Sequence, residues 1–579
     1  MILRKIKTHS WSAVLCILMW LNLFYMHYEV YIIKNGYENT DGFSPLFFMC
    51  YDVLGFLFVF EIITFGKRKI SFSLAYVSIL LFTLANIIYS RFMGQYLQLY
   101  AFGETNNFYG TWWVQYLPVA LEWKDLYLVI NALVAFLLWR KLPANKSWVA
   151  PVHVLCAFFV ISVFYVVVAT RSERVSLRSL NELINWKWHP LQFSRNITSS
   201  VVHPDLTIFT YGIIEGQLIF NIITNHIDAD INENDRHEID EFIRKRMLTA
   251  PELNDSCSMH NTPDIVMIVL ESGLSSAVEC CLDGQYVMPC IRGLIDSQNS
   301  YYNPNMRSNR GAGESSDAQV SYFTGLIPLK NEFSVLRILQ DSVIALPSLL
   351  KQSGYETTIT IPNDETFWHQ KELSSKYGFD KIIALGNESN NFWCHDEDIF
   401  RNSLVMQKTM NHPFFHCILT LTMHAPYVSD IVLNEDFIPQ YPDSYSPEYR
   451  QYLKRCNYTD RQIGRYISHL RQLGRLDSTV IIIVADHEPP IDRIMMPKKD
   501  LLDNKLPLII ANNFINVSNF SHKECNQVDF FPTMLDMLGV NSEWRGIGRS
   551  LLRNYKTYDL TEKESIISSN ILRGNYFGK

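Results

Sequence analysis

The chain carries no surplus of positive charge. Its 51 Lys and Arg stand against 58 Asp and Glu, giving a net charge of −7 and a pI near 6.2, so it offers no basic stripe for nucleic acid. No small-residue cleavage site follows its first apolar run, and four further apolar runs come after it, which argues against a removed signal peptide. No internal repeat or low-complexity tract breaks its second half. Hydrophobic residues make up 48% and the mean hydropathy is zero. That average conceals a very apolar N-terminal part and a polar C-terminal one.

Five apolar runs read as transmembrane helices: Trp11 to Ile33, Pro45 to Phe65, Ser71 to Ser90, Leu126 to Trp139 and Ala150 to Thr170. Most approach the roughly 20 residues needed to span hydrocarbon, and the fourth is the shortest. Arg4, Lys5 and Lys7 precede the first run, Lys67-Arg68-Lys69 separate the second and third, and Arg140, Lys141 and Lys146 separate the fourth and fifth. Lys and Arg gather in cytoplasmic loops, so this alternation predicts an inner N-terminus and an extracytoplasmic chain after Thr170. The segment from Arg91 to Asp125 then lies outside, and its aromatics (Tyr96, Tyr100, Phe102, Trp112, Trp113, Tyr116) suit the headgroup level. Glu29, Asp52 and Arg91 fall near outer helix ends, where reaching into interfacial water is the plain reading.

Residues 171–260 read as a helical linker at the membrane surface, with a charged helix over Asn232 to Leu248. From 261 to 579 apolar strand-like runs alternate with helical ones. Strands are expected at Ile265 to Leu270, Thr357 to Ile361, Phe414 to Leu421, Thr479 to Ala485 and Pro507 to Ala511; helices at Leu346 to Ser353, Tyr449 to Leu473 and Phe530 to Leu538. Such alternation predicts a mostly parallel sheet covered by helices, with ligands beyond the carboxyl ends of the strands. Glu271, His424 and Asp486-His487 all sit at or just past those ends, and Ser315 sits in the glycine-rich run GAGESSD. Alone, Glu271 also reads as the first exposed residue after a buried strand, GAGESSD as an ordinary turn, and His424 as a satisfied histidine at the rim. Adjacent metal-competent side chains at a strand end, such as Asp486-His487, are less usual in plain loops.

These residues resemble the sulfatase-like branch of the alkaline phosphatase superfamily, and within it the lipoteichoic acid synthases and related membrane phosphoglycerol transferases. The resemblance covers nearly the whole chain and implies a five-helix transmembrane domain (1–170) followed by an extracytoplasmic α/β sulfatase-like domain (261–579). It implies metal ligation by Glu271, Ser315, Asp486 and His487, with Ser315 as nucleophile in the place of the family's GxGxTSD threonine. His424, in Leu421-Thr422-Met423-His424-Ala425-Pro426-Tyr427, matches a segment whose His contacts substrate. Thr366-Phe367-Trp368-His369-Gln370 matches a TFWNR segment and implies substrate-binding roles for Trp368 and Gln370, and Gln527 through Gly539 matches a QVDxxPTxLxxLG fingerprint that is structural. The chain departs from the family at Gln370, where the family has Arg, and at Ile361, where it has His. No CxPxR or SxPxR context for formylglycine occurs, and the phosphoethanolamine transferases have a different nucleophile turn.

The implied chemistry is transfer of phosphoglycerol from a membrane phospholipid to an envelope glycan or lipid, through a covalent adduct on Ser315. His424 would stabilise phosphoryl charge or protonate the leaving group. The mixed O and N ligand set suits one divalent ion, Mn first, with Zn and Mg also fitting. A phosphoethanolamine transferase and a phosphodiesterase passing the group to water are the competing readings. Of eleven cysteines, Cys16, Cys50 and Cys156 fall in helices, and Cys417 reads as a core thiol. The remainder could form disulfides outside the cell, Cys280 or Cys281 with Cys290 being the most local option.

Overall fold

The computed structural model describes residues 2–32, 44–93, 96–97, 121–142, 231, 233–253, 262–311, 313–330, 333–386, 394–425, 427, 439–489, 504–512 and 517–578. They fall into two compact units, the second of them built mainly from Ala229–Lys579.

The first unit is helical: α1 (Ile2–His27), α2 (Ser44–Ile63), α3 (Arg68–Met93) and α4 (Leu126–Trp139). Trp11–Val30 and Arg68–Arg91 are long and apolar enough to cross a membrane. The second expected run is helical as α2. At 14 residues, α4 falls short of the roughly 20 a span needs. The fifth run, Ala150 to Thr170, lies outside the described residues, as do residues 98–120 of the aromatic loop. Leu15, Met19, Leu23, Leu57, Ile79 and Leu128 are among the buried side chains joining these helices.

The side chains of Glu29, Asp52 and Arg91 do not reach into water, for all three are buried. Glu29 and Arg91 belong to one ion network. The Arg91 guanidinium donates to Asp125 at 2.6 and 3.0 Å and to Glu29 at 3.2 Å, and lies 3.3 Å from Glu122. Lys124 adds contacts to Glu29 at 2.7 Å and Glu122 at 3.0 Å, and the Tyr25 hydroxyl donates to Asp125 at 2.8 Å. Charges buried in an apolar helical unit persist when paired.

The second unit is built on an eight-stranded sheet. In chain order the strands are β1 (Asp264–Leu270), β2 (Tyr301–Arg307), β3 (Glu356–Ile361), β4 (Lys381–Ala384), β5 (Phe414–Leu419), β6 (Thr479–Ala485), β7 (Leu506–Ala511) and β8 (Cys525–Asn526). Across the sheet they run β8-β2-β7-β6-β1-β5-β3-β4. The expectation of a mostly parallel sheet holds with one exception, because β7 pairs antiparallel with both β2 and β6. All five expected strands form. Every residue of β1 and β6 is buried, as in strands covered on both faces.

Helix α5 (Glu233–Thr249) belongs with this unit: Arg246 reaches Glu564 at 2.7 Å in α10 (Glu562–Arg573). The other helices used below are α6 (Ser315–Thr324), α7 (Asp396–Gln407), α8 (Pro447–Gln472) and α9 (Phe530–Met537). The expected helix near Leu346 forms as Leu346–Gln352, with Pro347 in its first turn, where a missing N–H does no harm. Cys417 is a buried free thiol in β5 as expected. The expected local pairing does not form, for no disulfide joins Cys280 or Cys281 to Cys290.

Candidate active site

The three central strands carry the site at their carboxyl ends. β1 lies parallel between β6 and β5, with Leu270 in register with Ala485. The next residues, Glu271 and Asp486, therefore emerge side by side, and the Asp486 amide still donates to the Leu270 carbonyl at 3.0 Å. The Thr420 hydroxyl, just past β5, accepts the Glu271 amide at 2.9 Å and ties the third strand end to the same point. This placement beyond carboxyl ends is where open α/β sheets bind ligands.

The turn bearing Ser315 is shaped by Asp317. Its Oδ2 accepts the Gly311 and Gly313 amides at 2.9 and 2.7 Å, drawing GAGESSD into a loop that opens α6. A Cβ on Gly311 would lie 2.3 Å from the Leu329 carbonyl oxygen and one on Gly313 2.6 Å from Ser316 Oγ, so neither position admits a larger residue without rearrangement. Glu314 stands at φ 49°, a conformation uncommon for a non-glycine residue and concentrated at functional turns. Ser316 Oγ donates to the Gly313 carbonyl at 2.6 Å and is occupied within the turn. Ser315 is left at the first position of α6, where the helix amides favour negative charge.

Four of the expected residues converge. Ser315 Oγ lies 3.1 Å from His487 Nε2 and 3.4 Å from Glu271 Oε2. Ligand atoms of Glu271, Asp486 and His487 all fall within 4.8 Å of one another, and all three residues are buried. Asp486 Oδ1 accepts the amides of Ser272 and His487, each at 2.7 Å, while Oδ2 lies 3.6 Å from His487 Nε2. His487 Nδ1 donates to the Glu488 carbonyl at 2.8 Å, a bond that fixes the ring and turns the Nε2 lone pair toward the carboxylates.

Burial, reinforced by Asp486, pushes the Glu271 carboxyl well above its ordinary range. Burial opposes a charge on His487, but Asp486 and Glu271 outweigh it and hold the imidazole above its usual value. Two carboxylates and an imidazole facing inward in so little space are a donor set for a hard or borderline divalent cation, which competes with the proton for these atoms. The residues present fit such an ion.

His424 shares the electrostatic surroundings of His487 and Asp486, and burial pushes it down to about 4. Its loop is anchored from below: Asp396 in α7 accepts the Leu421 and Thr422 amides at 2.8 and 3.0 Å, and Arg455 of α8 donates to the His424 carbonyl at 2.6 Å. His424 Nδ1 bonds the Ala425 carbonyl. Trp368 and Gln370 lie past β3, with Trp368 packed edge-on against Phe333 at 4.7 Å. Gln370 opens the helix Gln370–Tyr377, and its Oε1 is buried without a hydrogen bond.

Sequence reasoning missed two supports. Gln527 belongs to a fingerprint that reads as purely structural, yet its Nε2 donates to the Asp486 carbonyl at 2.6 Å and bonds the Ala485 carbonyl at 3.2 Å, bracing the metal-competent strand end. Arg310 contacts Glu314 at 3.1 Å and Glu488 at 3.7 Å, the neighbours of Ser315 and His487. Its place in a polar loop ahead of the glycine-rich run carries no signal of either contact.

Residues 263–540 match the protein family described as Sulfatase. The chain is 24% identical over 352 residues to lipoteichoic acid synthase 2 of Bacillus subtilis, covering 58% of this chain and 53% of that protein. It is 23% identical over 515 residues to lipoteichoic acid synthase of Staphylococcus aureus, covering 84% of this chain and 75% of that protein. The chain thus spans about half the length of the first relative and three quarters of the second. Among solved structures it is similar to the lipoteichoic acid synthase LtaP from Listeria monocytogenes, with 19% identity, coverage of 56% of this chain and 81% of that one, and a TM-score of 0.46. It is also similar to the integral membrane lipooligosaccharide phosphoethanolamine transferase A from Neisseria meningitidis, with 14% identity, coverage of 93% and 97%, and a TM-score of 0.49. The family match lies over the strands that gather Glu271, Ser315, Asp486 and His487, so residues 263–540 form a sulfatase-like domain.

Proposed function

We propose that this protein is a membrane-anchored, multi-pass phosphotransferase whose extracytoplasmic domain moves phosphoglycerol from a phospholipid to an envelope glycan or lipid through a covalent intermediate on Ser315. The observation that carries the reading is the position of Ser315 Oγ, 3.1 Å from His487 Nε2 and 3.4 Å from Glu271 Oε2 at the start of a buried helix. Its relatives named lipoteichoic acid synthases support the substrate class. Apolar N-terminal helices supply a reason for a lipid donor, since they would hold the domain at a bilayer.

Glu271, Asp486 and His487 would hold one divalent ion, Mn(II) first, with Ser315 as a fourth ligand. Bound there, the ion would lower the pKa of the serine hydroxyl and offset charge on the phosphoryl oxygens. Ser315 Oγ attacks phosphorus, losing its proton as the Oγ–P bond forms; the P–O bond to diacylglycerol breaks, and the leaving oxygen takes up a proton. The acceptor hydroxyl then attacks the same phosphorus and Ser315 leaves. The α6 amides stabilise the developing charge. His424 is assigned to stabilise charge on the phosphoryl oxygens or to protonate the leaving oxygen, and in the second step the proton lost by the acceptor hydroxyl returns to Ser315 Oγ. Trp368 and Gln370 are assigned to the headgroup.

Phosphoethanolamine transfer is the second reading, favoured by one observation: the buried Gln370 Oε1, an acceptor, replaces the cationic side chain of the family pattern. Mass spectrometry of protein quenched during turnover with phosphatidylglycerol, and separately with phosphatidylethanolamine, tests both. A glyceryl or ethanolamine phosphate adduct on Ser315 names the donor. Ser315→Ala abolishes adduct and diacylglycerol release, whereas Ser315→Thr keeps some of each. An adduct on Ser316, or undiminished turnover in Ser315→Ala, overturns the assignment.

A further inference from the structure

The nucleophile is crowded by acids beyond those of the ligand set. Glu314 immediately precedes Ser315 and Glu488 immediately follows His487, and both stand partly exposed at the rim, with 20% and 21% of their side chains accessible. Among the described residues Glu488 Oε2 is buried with no hydrogen-bond partner. A phosphodiester is itself an anion, so two rim carboxylates would repel it as it approached Ser315. Arg310 meets both, with Nη1 3.1 Å from Glu314 Oε2 and Nη2 3.7 Å from Glu488 Oε1. It thereby also links the turn of the nucleophile to the strand end of the imidazole.

We propose that Arg310 is a positioning and charge-screening residue: by pairing with both Glu314 and Glu488 it offsets part of the negative charge of the rim and eases the approach of an anionic phosphate ester to Ser315. The proposal rests on the reading of Ser315 as nucleophile and adds to it the means by which an acid-rich cleft accepts an acidic substrate. Arg310 acts through its two partners. Screening therefore matters only while those carboxylates are there, and a guanidinium is favoured because its planar fork can serve two acids at once.

Two measurements on full-length Mn(II)-loaded protein in detergent test this. Calorimetry with inorganic phosphate as the probe reads anion affinity directly, and diacylglycerol release from phosphatidylglycerol and phosphatidylethanolamine reads turnover. Arg310→Gln weakens phosphate binding about tenfold or more and raises KM by a similar factor with a smaller effect on kcat. The triple variant Arg310→Gln, Glu314→Gln, Glu488→Gln recovers wild-type phosphate affinity to within about threefold. Unchanged phosphate affinity in Arg310→Gln overturns the proposal, and so does a loss that the triple variant fails to recover, since that would mark direct contact. Should Arg310→Gln not fold, Glu314→Gln with Glu488→Gln on the native Arg310 background is decisive: tighter phosphate binding supports screening, and equal or weaker binding refutes it. A wild-type protein that releases diacylglycerol from neither lipid would sink the donor reading while leaving the phosphate measurement intact.

Discussion

Two charge clusters with buried centres, one in each unit of the chain, are built on opposite plans. In the helical unit Arg91 and Lys124 meet Glu29, Glu122 and Asp125, and every acid touches a cation. In the sulfatase-like domain Glu271 and Asp486 turn toward each other and toward His487, and their nearest partners are a hydroxyl and backbone amides. A cluster that satisfies itself holds a fold together. One that concentrates like charge against the cost of burial is set up for something that arrives from outside.

The largest effect expected from this contrast is in the acid-rich cluster. Asp486→Ala or Glu271→Ala should lower transfer by about three orders of magnitude, the scale on which losing one member of a catalytic constellation acts. Metal binding by calorimetry should fall with it while circular dichroism stays unchanged. A folded variant with full metal affinity would remove that residue from the site.

The self-paired cluster should behave in the reverse way. Arg91→Ala leaves three acids under-compensated, and breaking a buried pair costs about 3–5 kcal/mol. Thermal unfolding in detergent should move down strongly, with metal affinity of the other unit unaltered. Lost turnover at unchanged stability would mean that the helical network is itself functional, and the contrast would fail.

A smaller loss is expected at Gln527, which supports the metal-competent strand end without facing the cluster. Gln527→Ala should weaken metal binding about 10- to 100-fold, as removing such outer partners does. Gln527→Asn keeps the amide on a shorter arm and should restore little of that loss. Wild-type metal affinity in Gln527→Ala would return this residue to a purely packing role.

Least affected should be the exposed pairing of Glu524 with Arg307 and Lys505. Those two cations depress the Glu524 carboxyl to about 2 from its ordinary 4.5. Its contribution is complete above about 4.5 and is lost as pH falls through about 2, because acid protonates the unfolded carboxylate first. Being largely exposed, the pair is worth at most about 1 kcal/mol, so Glu524→Gln should shift unfolding slightly at neutral pH and less still in high salt. A shift as large as that of Arg91→Ala would show that exposure is a poor guide to which ion pairs matter here.

Legibility differed between strands for physical reasons. The runs DIVMIVL of β1 and TVIIIVA of β6 are apolar almost throughout because both faces are covered, so their sequence announces them. YYNPNMR of β2 carries no such run and is broken by a register shift between Asn303 and Met306, while β8 is two residues long. Neither pattern distinguishes a strand from a loop. The reversed direction of β7 was equally hidden, since an apolar strand looks alike whichever way it runs.

What the sequence determined by itself was the inventory: which residues end apolar runs, which turn is glycine-rich, and which side chains can hold a metal or lose a proton. Local chemistry suffices for that. Tertiary structure alone decided adjacency. Leu270 in register with Ala485 sets Glu271 beside Asp486, and the Ser272 amide finds its Asp486 acceptor across 214 positions of chain. Arg310 reaches Glu488 only because the turn bearing Ser315 and the β6 end meet. Charge pairing acts over a few ångströms of space, and sequence order carries no measure of that distance.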